Sequence, residues 1–213
     1  MRYAIINGGE SRSFAKNDAI FSSAAAAEDA DVLIFADASE LTPDPAKVAV
    51  LVELGTESLS IYTGEEPNTS FANVVGYARY RNGDDAPSKL VELVRRPWTK
   101  DSALQAARDV FEGAGLDVVV CADQPGRIID RLVRPKYNAA LRLLDEGLAT
   151  EADMDLTCRL GLGYPDGPIE RIKRGGLLHH YKITQALFET YGTPAYVPPR
   201  QAIDAARRAG VKK

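Results

Sequence analysis

Three blocks decide the fold: SKLVELVRRP at 88–97, DQPGRIIDRLVRPKYNAALRLLDEG at 123–147 and DMDLTCRLGLGYPDGP at 153–168. The first alternates well enough to be a strand. In the second, Pro125-Gly126 sets a turn. Beyond it Ile128, Ile129, Leu132, Val133, Tyr137, Ala140, Leu141 and Leu144 recur at helical spacing, a broad apolar stripe. Pro135 lies inside that run and predicts a kink; Gly147 closes the helix. Before and within the third block, Thr150 and Asp153 resemble a capping pair for a helix that Gly161 closes. Gly167-Pro168 opens the next helix.

Working outward, RYAIIN at 2–7 is a short β-like run stopped by Gly8-Gly9, and 10–18 reads as a polar loop. The Ala-rich run Ala19–Ala30 predicts a helix. DVLIFA at 31–36 is short and continuously apolar, as buried parallel strands are. Val48 to Leu54 is open between helix and strand. LSIYT at 59–63 and NVVGYARY at 73–80 read as strands, and RNGDDAP at 81–87 as a turn. Thr99 or Ser102 is expected to cap a helix ending at Gly113 or Gly115, ahead of a last strand, DVVVCA at 117–122. The pattern predicts an α/β domain over 1–122 with a mainly parallel sheet, turning antiparallel from the KLVELVR run. An all-helical domain follows over 123–213, with further helices at Leu177–Tyr191 and Gln201–Arg208.

Composition narrows the function classes. The chain has 213 residues and a formal net charge of −4, which argues against nucleic acid as a partner. Residues 1–95 hold 8 Lys/Arg against 15 Asp/Glu, and an acidic half disfavours a polyanionic ligand there. Cys121 and Cys158 are too isolated in sequence for a CxxC site and read as semi-buried thiols. No run approaches the ~20 apolar residues of a membrane span, and nothing reads as a secretion signal, so a cytoplasmic protein is expected. His179 and His180 point about 100° apart on a helix, so one packed and one exposed ring is expected, with no metal site. Asp153 and Asp155 read as a cap and a dipole partner. Arg171, Lys173 and Arg174 read as a solvated basic face, and Trp98 as a core or interface anchor.

Together the three blocks resemble the 3-hydroxyacyl-CoA dehydrogenases, most specifically at PG-x-I-x-x-R-L (125–132) and GLG-Y-P-x-GP (161–168). The resemblance implies a Rossmann-like sheet followed by that family's helical C-terminal domain. It also implies an NAD-dependent oxidation in which a His takes the hydroxyl proton, a Glu orients the His, and a Ser and an Asn hold the oxygen. The run matching the family's strand and His is Val75-Gly76-Tyr77-Ala78-Arg79-Tyr80-Arg81-Asn82, with Ala78 at the His. Glu57 falls on the Ser, although a one-residue slip would restore Ser58. Asp130 falls on the Asn, and an ionised carboxylate there opposes an alkoxide-like oxygen. Glu92 alone is unchanged, and without its His it is expected to cap or pair locally. The vestigial catalytic positions are thus Glu92, which is kept, and Asp130, which is replaced.

The cofactor signature is missing as well. The family's first strand leads into G-x-G-x-x-G, which cradles the pyrophosphate; here it leads into Asn7-Gly8-Gly9-Glu10-Ser11-Arg12. The sheet domain is therefore expected to be truncated and degenerate, and no cofactor is expected. The function implied is a dehydrogenase-like protein of the acyl-CoA and fatty-acid lineage without dehydrogenase activity. It would act as a homodimeric scaffold, paired through the helical domain, or as an acyl- or partner-binding protein. Two alternatives stand beside it: an active enzyme using NAD with a non-standard base or a partner subunit, and a regulatory module that pairs with a full-length dehydrogenase.

Overall fold

The computed structural model describes residues 1–6, 11–15, 18–36 and 41–211. The Asn7-Gly8-Gly9-Glu10 turn, on which the reading of the dinucleotide loop rests, lies outside them. The chain forms two compact units, one of residues 1–81 and 86–127, the other of 82–85 and 128 onward.

The first unit is built on one six-stranded sheet: β1 (Tyr3–Ile6), β2 (Val32–Phe35), β3 (Ala49–Glu53), β4 (Val74–Arg79), β5 (Leu90–Arg95) and β6 (Asp117–Ala122). Their order across the sheet is their order along the chain. The pairs from β1 to β4 are parallel, β4–β5 is antiparallel, and β5–β6 is parallel. The antiparallel turn at the KLVELVR strand is therefore present, and parallel pairing resumes after it.

β2 and most of β3 are apolar without alternation because both faces are covered. On one face Val32, Ile34, Leu51, Val75, Tyr77, Val91 and Leu93 pack against helix α3 (Asp101–Gly113; α1 and α2 follow). Three buried alanines, Ala103, Ala106 and Ala107, let that helix lie close. Phe14, from the segment read as a polar loop, is buried in this cluster with its ring 6.2 Å from Phe111 and 5.9 Å from Tyr77. The opposite face holds Val50, Val52, Leu54, Leu59, Val74 and Val94.

Three local expectations fail here, each for a physical reason. Ala19–Ala30 is not one helix: α1 spans only Ala19–Ser22, and a 3-10 turn spans Ala27–Asp29. The Ala25 amide donates to the Tyr3 carbonyl at 2.7 Å, and that bond to the edge strand competes with helical pairing. The 59–63 segment is a helical turn, α2 (Ser60–Thr63), because the distant Asp123 carboxylate accepts from the Leu59 and Ser60 amides at 2.7 and 2.9 Å. Neither Thr99 nor Ser102 caps α3. Its N-cap is Lys100, and the Thr99 hydroxyl accepts from the Arg96 amide at 2.9 Å instead.

The second unit contains α4 (Ile129–Asp145), α5 (Glu151–Leu162), α6 (Pro168–Gly175), α7 (Leu177–Tyr191) and α8 (Arg200–Arg208). α4 continues through Pro135. Proline has no amide to give the Arg131 carbonyl, and that carbonyl accepts from the Tyr196 hydroxyl at 3.5 Å. Thr150 caps α5, accepting from the Asp153 amide at 3.2 Å. α5 ends two residues later than expected, because Gly163, not Gly161, takes the left-handed conformation (φ 69°). Asp155 does not serve its own helix. It is buried and caps α6, accepting from the Ile169 and Glu170 amides at 2.8 and 3.0 Å. Gly167 is obligatory beside it, since a Cβ there would collide with the Asp155 side chain. Residues 82–85 join this unit because Asn82 donates to the Arg171 carbonyl at 3.1 Å and Arg174 to Asp85 at 3.0 Å.

Candidate functional site

In the first unit the residues singled out by sequence converge on one place. β4 and β5 pair so that Ala78 lies directly opposite Glu92. Both are buried, with Glu92 3% exposed. A charged side chain so placed needs a counter-charge. That partner is Arg127, whose Nε lies 3.6 Å from the Glu92 carboxylate, side chain against side chain, each about one-twentieth exposed. Glu92 thus pairs with a group 35 positions on, not locally.

Arg127 does more than neutralise. Its Nη2 donates to the Gly55 carbonyl. The neighbouring Gly126 amide donates to the Thr56 carbonyl at 2.8 Å. The turn at 124–127 therefore holds the loop that carries Glu57 and Ser58. Within that loop Glu57 accepts from the Gly55 amide (2.8 Å) and the Tyr62 hydroxyl (3.2 Å), and Ser58 shares a bond with Ser60 at 2.8 Å. Arg127 has φ 48°, alone among the described non-glycine residues in being left-handed. Its Nε and Nη1 are buried without a hydrogen-bond partner. Cys121 stands near this pair, and burial first, then the Glu92 charge, pushes its thiol up to about 11, so it stays protonated and inert. No sequence signal marked Arg127, because the residue after Pro125-Gly126 entered the motif only as a variable position.

The carboxyl ends of β3 and β4 are occupied by the chain itself. Glu53 accepts from the Ser13 amide at 2.7 Å, and Arg79 donates to the Ser13 carbonyl at 2.6 Å. Burial raises the Glu53 carboxyl above its ordinary range, while the hydrogen bonds from Ser13, Ser11 and Arg12 oppose that rise.

Asp130 belongs to the second unit, in the first turn of α4, and accepts from Arg134 Nε at 2.8 Å. Arg134 leads into a buried polar chain. Its Nη1 lies 3.3 Å from His180 Nδ1, and His180 Nε2 lies 2.8 Å from Asn138 Oδ1. Asn138 Nδ2 donates to Thr184 Oγ1 and to the Ala195 carbonyl, both at 2.8 Å, and Thr184 donates to the Tyr196 carbonyl at 2.9 Å. A guanidinium only donates, so His180 Nδ1 must accept and Nε2 must carry the proton. Burial, then the Arg134 charge, pushes His180 down to about 3. His180 is the packed ring and His179 is half-buried. The spacing of Arg134 with Asn138 and of His180 with Thr184, each i,i+4, was the available signal.

The basic face is balanced by acids: Arg171 meets Asp166 at 3.0 Å, Lys173 meets Glu151 at 2.5 Å, and Arg174 meets Asp85, Asp166 and Glu170. Trp98, half-buried, lies under the Arg96 guanidinium at 4.4 Å. Among the described residues no three His, Cys, Asp or Glu side chains group as metal ligands, and no helix is long and apolar enough to cross a membrane. Both cysteines are free.

Comparison with known proteins adds the context. Residues 126–213 match the family model described as 3-hydroxyacyl-CoA dehydrogenase, C-terminal domain. The mitochondrial hydroxyacyl-coenzyme A dehydrogenase of Sus scrofa is 40% identical over 89 residues, 42% of this chain and 28% of that protein. A 3-hydroxybutyryl-CoA dehydrogenase of Mycobacterium tuberculosis is 32% identical over 168 residues, 78% of this chain and 57% of that protein. The crystal structure of M. tuberculosis FadB2 superposes with a TM-score of 0.70 at 24% identity, over 85% of this chain and 67% of that one, which is a likeness of fold. The chain thus spans well under two thirds of the length of these two curated relatives.

Proposed function

Taking as premise that this chain belongs to the 3-hydroxyacyl-CoA dehydrogenase family, we propose that it is a member without dehydrogenase activity, acting in acyl-CoA metabolism as a homodimeric scaffold or as an acyl- or partner-binding protein. One observation carries the reading. The position facing Glu92 across the strand pair is Ala78, and the Glu92 charge is met by Arg127. Alanine has no proton to exchange, and a guanidinium stays protonated at any working pH, so neither can act as a base.

The strand order supports a reading in which no nicotinamide dinucleotide binds the sheet. Doubly wound sheets bind such ligands outside the carboxyl ends of their strands, where the strand order reverses. Here the order runs from β1 to β6 without reversal, and Ser13 covers the ends of β3 and β4. The test is a titration with NADH followed by assay with acetoacetyl-CoA. The expected result is no saturable binding and no NADH consumption above buffer. Micromolar binding with turnover would return the chain to the active oxidoreductases.

The dimer rests on exposed leucines of the helical unit. Leu132, Leu148, Leu160 and Leu162 are each between 62% and 79% exposed, more apolar surface than a solvated helix pair presents without a covering partner. Light scattering tests it: a dimer is expected, broken by Leu160→Lys. The same leucines suit the second reading, a module that pairs with a full-length dehydrogenase. Because the family match lies in the helical part, that reading takes precedence if the isolated chain is a monomer.

A further inference from the structure

Along α7 and α8 the helical unit carries a groove of about 580 Å³, a volume in the range of small-molecule pockets. Its apolar lining includes Phe188, Val197 and Ile203, all half-buried, and Val211, which is exposed. Two exposed cations, Lys182 and Arg207, and one exposed acid, Glu189, line it as well. We propose that this groove binds an amphiphilic monoanion: a free carboxylate on an aliphatic chain, with the chain on the apolar lining and the head at Lys182 and Arg207.

The charges select the class. Glu189 already accepts from Gln185 Nε2 at 2.7 Å. It follows Lys182 by seven positions on α7, nearly two turns or about 10 Å along the axis, so it does not neutralise that ammonium. Among the described residues no carboxylate pairs with Lys182. Arg207 reaches Asp204 only at 4.0 Å, and Asp204 also accepts from Arg200 at 3.2 Å. The groove therefore keeps a positive charge that one carboxylate balances and that repels a cation. Because both cations are exposed, the head stays at the edge of the water and keeps its charge while the chain leaves it. The inference goes beyond the function proposed above: it concerns a free carboxylate in the helical unit and needs neither acyl-CoA binding nor dehydrogenase chemistry.

Calorimetric titration of the whole chain with decanoate and with decan-1-ol tests it, the two differing only in the head. Decanoate is expected to bind about fivefold tighter, the increment that exposed ion pairs allow. Lys182→Gln combined with Arg207→Gln, at two exposed positions, is expected to erase that difference and leave decan-1-ol binding unchanged. Ala186→Trp, on the groove lining, is expected to abolish binding of both ligands with the urea midpoint kept. Equal affinity for the two ligands, or no saturable decanoate binding, overturns the proposal. So does a preference that survives in the double variant, or binding that survives in Ala186→Trp. A change of mass in light scattering with Ala186→Trp overturns it too, and assigns the groove to contact between copies of the chain.

Discussion

Each unit buries a charged group, and the two manage it differently. In the helical unit Arg134, His180, Asn138 and Thr184 form a directed series in which donors meet acceptors, from Asp130 to the Tyr196 carbonyl. In the sheet unit Glu92 and Arg127 neutralise one another, yet two nitrogens stay unpaired. The first arrangement specifies how α4 and α7 pack. The second balances its charges while leaving two nitrogen donors without acceptors.

The largest effect should come from breaking the completed series. Asn138→Ala removes three bonds at a fully buried position and leaves the partners unsatisfied. A loss of about 4 kcal/mol is expected in the unfolding of the helical unit. Trp98, the single tryptophan, lies in the sheet unit, so its fluorescence should report little of that loss while far-ultraviolet dichroism reports it in full.

Next in size, Glu92→Gln strands a buried guanidinium and should cost about 3 kcal/mol, read by Trp98 fluorescence. The double change Glu92→Leu with Arg127→Met should recover most of it, because removing both charges leaves nothing unpaired. If the double variant is as damaged as the single one, the pair is structural and the contrast between the units fails.

The pH dependence separates them further. His180 has a folded pKa of about 3 against 6.5 for the free residue. Below about 6.5 the unfolded chain takes a proton that the folded one refuses. Stability is thus fully present above that pH and declines by up to about 1.4 kcal/mol per unit as pH falls toward 3. Urea midpoints followed by dichroism should show this slope, and His180→Gln should flatten it. Smaller still, Thr150→Ala should cost about 1 kcal/mol through the lost cap of α5. Arg174→Ala, on the exposed network with Asp85 and Asp166, should change the same midpoint by less than about 0.5 kcal/mol.

What the sequence disclosed follows the range of the forces involved. α4 and α7 were legible because an apolar stripe and a terminal glycine are local signals. β2, β4, β5 and β6 were legible for the same reason. α2 was not, since its helical turn depends on the Asp123 carboxylate 63 and 64 positions away. Nor was the break after Ser22, which follows a bond from Ala25 to β1. Asp155 looked like a helper of its own helix and proved to serve α6. At the site, the juxtaposition of Ala78 with Glu92 could be read only through the family resemblance. Arg127 could not be read at all, because a lone arginine after a Pro-Gly turn gives no hint of which carboxylate it will reach.

A sheet whose neighbours in space are its neighbours in sequence also determines how it can be made. The widest separation between paired strand residues is the 29 positions from Tyr3 to Val32. The other β1–β2 pairs share that separation, and every pair between the remaining strands is nearer in sequence. Each strand can therefore add to an edge that already exists, and none must wait for a segment not yet synthesised to be inserted between finished neighbours. Such low contact order favours rapid assembly on the ribosome.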